Sequence, residues 1–127
     1  MCERLYSEAF EHFIGIADRK SSDRYRMFAI MIIDELLDVY FCTSRSDNAR
    51  SLCRVIVNEA NKLSHIPDGR HYMAKALYSL CFLTSGEERS ESAAAALGIW
   101  NELVRQFPDN EEYSQWRSRL LSNIYGQ

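Results

Sequence analysis

The sequence predicts an all-α protein of about six antiparallel helices, and three observations carry that expectation. Apolar residues recur at steps of three and four and almost nowhere alternate, which is the spacing of amphipathic helices and not of strands. Pro and Gly are scarce, two and five in 127 residues, while 46% of the residues are apolar and 26% charged, a balance that favours an ordered helical core over disorder. The phrases "IPDGRHY" (66–72) and "FPDNEEY" (107–113) close two amphipathic stretches with nearly the same letters. Pro after a helix suits the exit from it, and Asp beside Pro can cap the helix that follows, so both phrases read as hairpin joints, at Pro67 and Pro108.

The elements follow in order. A first helix over about 3–17 sets Leu5, Tyr6, Ala9, Phe10, Phe13, Ile14 and Ala17 on one side, and "DRKSSD" breaks it. A second covers about 24–42, with Ser22 or Asp23 able to cap it, and a third about 48–64, with Ser46 or Asp47 placed to accept its first free amides. "IPDG" stops the third. The fourth covers about 70–84, the fifth about 90–107 and the sixth about 110–124, where Tyr113, Trp116 or Arg117, Leu120, Leu121 and Ile124 form a stripe.

Sliding the chain against itself by 41 positions matches more than the repeated phrase. Leu36 falls on Leu77, Phe41 on Phe82, Thr43 on Thr84, Ser44 on Ser85, Pro67 on Pro108, Asp68 on Asp109 and Tyr72 on Tyr113. A period that holds two helices is the signature of stacked helical pairs, because one pair cannot hide its apolar face alone. The chain then reads as a single domain, 1–127, with hairpin repeats at 24–66 and 67–107 and capping helices at 3–17 and 110–124. A compact six-helix bundle whose turns resemble one another by accident is the alternative.

The segment "AAAALGIWNELVRQFPDN" (93–110) resembles the second helix of a tetratricopeptide repeat, with Ala96 at the small position, Trp100 at the aromatic position and Pro108 twelve residues after the alanine. The likeness covers about fifteen residues, and the period exceeds the usual repeat of about 34, so a HEAT- or armadillo-like pair is a neighbouring possibility. The resemblance implies a TPR-like α-α superhelix, in which the first helix of each pair lines a concave, partner-binding surface.

Composition narrows the function classes. A net charge of −3 offers no basic footprint for nucleic acid. The most apolar stretch, 27–42, carries Asp34, Glu35 and Asp38 at its centre, where charges are costly in a bilayer, so it reads as a buried helix. The N-terminal "MCERLYSEAFEHF" has no uninterrupted apolar run of the secretory kind. Cys2, Cys42, Cys53 and Cys81 lack tight spacing, and the last three sit in apolar helical context, which fits reduced structural thiols in a cytosolic compartment.

Chemistry leaves few marks. The sequence has no glycine-rich phosphate loop, nucleophile elbow or Cys-x-x-Cys pair. Cys42, Cys53, His65 and His71 have spacings that suit structural zinc poorly, so no metal or other cofactor is expected. Asp34, Glu35 and Asp38 read as a solvated acidic face or a docking spot for a basic partner before any catalytic pair.

The informative excess is apolar. The second helix carries Phe28, Ile32, Leu36 and Val39 beside its main stripe, and the fourth carries Ala74, Tyr78 and Phe82 beside its own. Helices of this kind are covered on two sides. Phe28, Ile32, Tyr78 and Phe82 are therefore candidates to line a partner-binding groove, with His71 and Lys75 beside it to engage an acidic group; core packing against the first or sixth helix is the competing placement. The expected function is a non-enzymatic interaction module of adaptor, chaperone or immunity type, whose partner is another protein or a second copy of this chain. A small enzyme or ligand-binding protein with a motif-less pocket is the alternative.

Overall fold

Six α-helices follow one another in the computed structural model, which describes the backbone of residues 2–127 and the side chains of residues 3–127. They are α1 (Cys2–Lys20), α2 (Asp23–Cys42), α3 (Ser46–Asn61), α4 (Pro67–Cys81), α5 (Gly86–Gln106) and α6 (Glu111–Asn123), with no strand among the described residues. The all-α expectation holds, and boundaries differ by up to four residues, at starts and ends alike. Ser22 caps α2 by accepting the Tyr25 amide at 3.4 Å, as its position before the apolar run requires.

At the next joint the capping expectation fails. Ser44 adopts a left-handed φ of 57°, which turns the chain early enough for the Arg45 carbonyl to accept the Ala49 amide at 2.9 Å. Arg45 is thus the N-cap, without a side-chain cap bond. Ser46 and Asp47 lie inside the first turn of α3, where Asp47 pairs with Arg50 at 2.9 Å.

The two near-identical phrases do different work. After Asn61 the chain tightens through Lys62, Leu63 and Ser64 with three-residue hydrogen bonds, and Pro67 then opens α4 at its first turn, where a missing N–H costs nothing. Gly69 permits this early start, because a Cβ there would stand 2.3 Å from the Leu63 carbonyl oxygen. Pro108 and Asp109 instead lie in a turn ahead of Asn110, which caps α6 by accepting the Tyr113 amide at 3.1 Å. Neither Asp caps a helix; Asp68 accepts the Tyr113 hydroxyl at 2.7 Å, so the two phrases touch.

Each helix packs on its neighbours in sequence, and α4 also meets α6. Across non-consecutive elements α2 reaches α4 through Asp34 and Lys75 at 3.2 Å, α4 reaches α6 through His71 and Glu112 at 3.0 Å, and α3 reaches α5 through Arg54 and Glu88 at 2.7 Å. The even and odd helices form two rows, a pattern consistent with a helical-repeat fold and equally with a bundle. Glu3 ties α1 to the far end of α2, accepting from the Tyr40 hydroxyl at 2.8 Å and from Arg45 at 2.7 Å.

One continuous core runs through α2 to α6, with Ile30, Ile33, Leu36, Ile56, Leu63, Trp100, Leu103 and Leu120 all but sealed from solvent. Ala29, Ala49, Ala60, Ala74, Ala93 and Ala96 are also buried; their short side chains let helix backbones approach closely. A charged pair is enclosed with them: buried Arg26 hydrogen-bonds buried Glu59 of α3 and exposed Asp18 of α1, and exposed Lys62 reaches Glu59 at 3.0 Å. Three helices meet at this guanidinium, whose several donors suit such bridging. No described helix is long and apolar enough to cross a membrane.

Candidate functional site

The sequence-predicted residues separate into two places. Phe28 and Ile32 belong to the α1–α2 hairpin: the Phe28 ring meets those of Phe13 at 6.1 Å and Tyr25 at 6.3 Å, and half-buried Ile32 lines a shallow apolar hollow with Leu5, Tyr6 and Ala9. His71, Lys75 and Tyr78 lie on α4, the helix between the other two of the even row, and Phe82 follows directly after it. These four share one aromatic cluster with Tyr72, Trp100, Tyr113 and Trp116.

Lys75 occupies the centre of that row. Its ammonium lies 3.2 Å from Asp34, 4.9 Å from the Tyr72 ring centroid and 5.0 Å from that of Trp116, so an ion pair and two ring faces hold one cation. Arg119 approaches Trp116 at 4.6 Å. The one-turn spacing of Asp34 and Asp38 puts both on this side of α2, but half-buried Asp34 is committed to Lys75 and is not the solvated acid that the pattern suggests. Asp38 keeps an exposed carboxyl whose proton affinity is raised, first by partial desolvation and then by the negative charge of Asp34.

His71 lies deeper, only 3% exposed. The Trp100 indole N–H donates to its Nδ1 at 3.0 Å, and its Nε2 meets Glu112 Oε1 at 3.0 Å. Burial depresses its proton affinity below the ordinary imidazole value, against the opposing pull of Glu112. Tyr78 is 8% exposed; its hydroxyl accepts from Asn123 of α6 at 2.7 Å and its ring edge meets Phe82, Trp100 and Trp116. Phe82, one residue past the helix, is 54% exposed, and Phe41, its equivalent at the 41-residue offset, is 39% exposed.

Pattern reasoning passed over Trp116, Tyr72 and Glu112, although a signal for them was present. Asp34 with Lys75, and His71 with Glu112, are each 41 positions apart, so the offset that relates the turns also pairs these residues. Reaching them required reading the offset as a contact between neighbouring even helices.

Cys42, Cys53 and Cys81 are free thiols; Cys53 and Cys81 are buried, and burial pushes the Cys53 thiol up to about 12. Cys42 is exposed, contrary to its apolar sequence context, while the Cys2 thiol lies outside the described side chains. Among the described residues no three of His, Cys, Asp and Glu gather as a metal cluster; His65 pairs with Asp23 of α2 at 2.6 Å, whereas His71 pairs with Trp100 and Glu112. Comparison with family models, with curated proteins and with solved structures finds no match to this chain.

Proposed function

We propose that this chain is a non-enzymatic, TPR-like protein-interaction module that holds a partner polypeptide against the row formed by α2, α4 and α6. A single observation supports the reading most: Phe41, near the end of α2, and Phe82, one residue past α4, stand exposed 41 positions apart, with Tyr78 meeting the Phe82 ring at 5.2 Å and the exposed carboxylate of Asp38 three residues before Phe41. Aromatic side chains set on rigid helices and flanked by charge are the usual anchors of peptide-in-groove recognition. An amphipathic segment that offers apolar side chains to the two phenylalanines and a basic one to Asp38 fits this row. Tyr78 then supports Phe82 from beneath. His71 and Lys75, already paired within the chain, organise the row without reaching out to a ligand. Reduced thiols favour a cytosolic setting for the module.

Phe28 and Ile32 favour a second surface. With Leu5, 64% exposed, and Met31 they leave an apolar flank on the α1–α2 hairpin that a second copy of the chain could cover. The test captures the partner from the native source and measures its affinity for Phe41→Ala, Phe82→Ala and Leu5→Glu. Loss of about tenfold or more from the two phenylalanine variants, with unchanged melting, supports the row. Unchanged affinity in both removes it. Loss of dimers in Leu5→Glu alone assigns the hairpin flank to self-association.

A further inference from the structure

Trp100, His71 and Glu112 form a hydrogen-bonded chain across three helices, and its chemistry fixes a protonation state. An indole N–H can only donate, so His71 Nδ1, 3.0 Å away, must carry a lone pair. The neutral ring therefore bears its proton on Nε2 and donates it to Glu112. Both ring nitrogens are used, and the ring is nearly sealed from water.

Adding a proton at Nδ1 would set one N–H against another. The Trp100 donor, wholly buried, would lose its acceptor, and an imidazolium would stand without water. The charged groups facing the ring are Asp68 and Lys75 on α4 and Glu112 on α6. Tyr113 of α6 adds its ring at 5.0 Å, with its hydroxyl committed to Asp68. From α5 the facing group is the Trp100 indole, and α3 brings apolar Ile56 and Ala60, and the joint after it Leu63, to the same core. Two carboxylates favour the cation and one ammonium opposes it, yet burial outweighs them and keeps the ring neutral near pH 7.

What can yield is α6. Among the described residues its main helix contacts are with α5 and α4, and it has fewer of them than α4, which lies between α3 and α5. Besides the Trp116 ring contacts, its polar ties across the interface are Glu112 to His71, Tyr113 to Asp68, Asn123 to Tyr78 and Arg117 to Asn101. Swinging α6 away would bring water to His71 and let the imidazolium be solvated.

We infer that His71 is a pH-operated latch: neutral, it joins α5 to α6 through Trp100 and Glu112, and protonated, it lets go of Trp100 and frees α6 from α4 and α5. Opening bares Trp100, Tyr78 and the apolar side of α6 at one end of the even row. The latch stands whether or not that row binds a partner, because its readouts are local.

The test follows His71 and α6 together in the wild-type chain. Ring nitrogen NMR at about pH 7.5 is expected to show the Nε2–H tautomer. Between about pH 7.5 and pH 5, amide exchange in α6, corrected for its intrinsic pH dependence, is expected to rise about tenfold relative to α2, in step with protonation of His71. Glu112→Gln keeps an acceptor but removes the charge that favours the imidazolium, so both transitions are expected to move together to lower pH. His71→Gln, if it folds, is expected to lose the α6 transition. The latch is overturned if His71 is protonated while α6 stays protected, if α6 loosens with His71 still neutral, if α2 and α6 lose protection equally, or if Glu112→Gln moves neither transition.

Discussion

Replacing Gly69 and Gly98 by alanine should move stability in opposite directions, and the joint between α3 and α4 explains why. At Gly69 the new Cβ would lie 2.3 Å from the Leu63 carbonyl oxygen and 2.6 Å from the Leu63 Cβ, roughly 1 Å inside ordinary contact. The obstructing atoms belong to the backbone and to the stem of a fully buried leucine, so no flexible side-chain tip can swing aside. An approach this short to backbone atoms falls at the upper end of the overpacking range, about 3 kcal/mol, against a gain of up to about 1 kcal/mol from alanine's helix preference. A net loss of about 2 kcal/mol is expected. Gly98 lies on the exposed side of α5, and a Cβ there would meet nothing within 4 Å, so only the preference remains and alanine should add about 1 kcal/mol. With unfolding entropy of about 2.1 cal/mol/K per residue, each kcal/mol shifts the Tm of a 127-residue chain by about 4 °C. Thermal melts followed by circular dichroism should show Gly69→Ala about 8 °C lower and Gly98→Ala about 4 °C higher than wild type. A neutral or stabilising Gly69→Ala would refute the close approach at this joint. A destabilising Gly98→Ala would refute the open setting of that turn of α5.

Arg26→Ala leaves Glu59 buried without its guanidinium and should cost about 3 kcal/mol in a denaturant titration, whereas Arg54→Ala, which breaks the exposed pair with Glu88, should cost less than about 1 kcal/mol. Equal effects would contradict the burial contrast. In native protein a thiol reagent should modify Cys42 readily and reach Cys53 and Cys81 only as fast as the fold opens; quick labelling of all three would contradict their enclosure. Global stability should depend on pH through His71, whose folded proton affinity lies below its unfolded value near 6.5. Its contribution is complete above that value and is lost as pH falls toward the folded pKa, since the unfolded chain takes up the proton first. Urea midpoints measured from about pH 7.5 down to pH 5 should decline in wild type and decline less in His71→Gln; parallel curves would remove His71 as the cause.

Local pattern determined the helices of this protein. A period of three to four apolar steps, a serine before α2 and a proline-bearing turn act within a few residues, so they can be read along the chain without knowing what packs where. Tertiary structure decided the roles of the polar groups. His71 looks like a residue beside a turn until Trp100, 29 positions on, and Glu112, 41 positions on, close around it. Lys75 looks free until α2 brings Asp34 to it, and Cys42 looks buried until α2 turns its last residue outward. Asp68 resembles a helix cap, yet its carboxylate is taken by a tyrosine 45 residues away. The periodicity of one helix says that it has an apolar side; which neighbour covers that side, and so which polar group meets which, depends on helix-to-helix approach set by distant small residues such as Gly69 and Ala96.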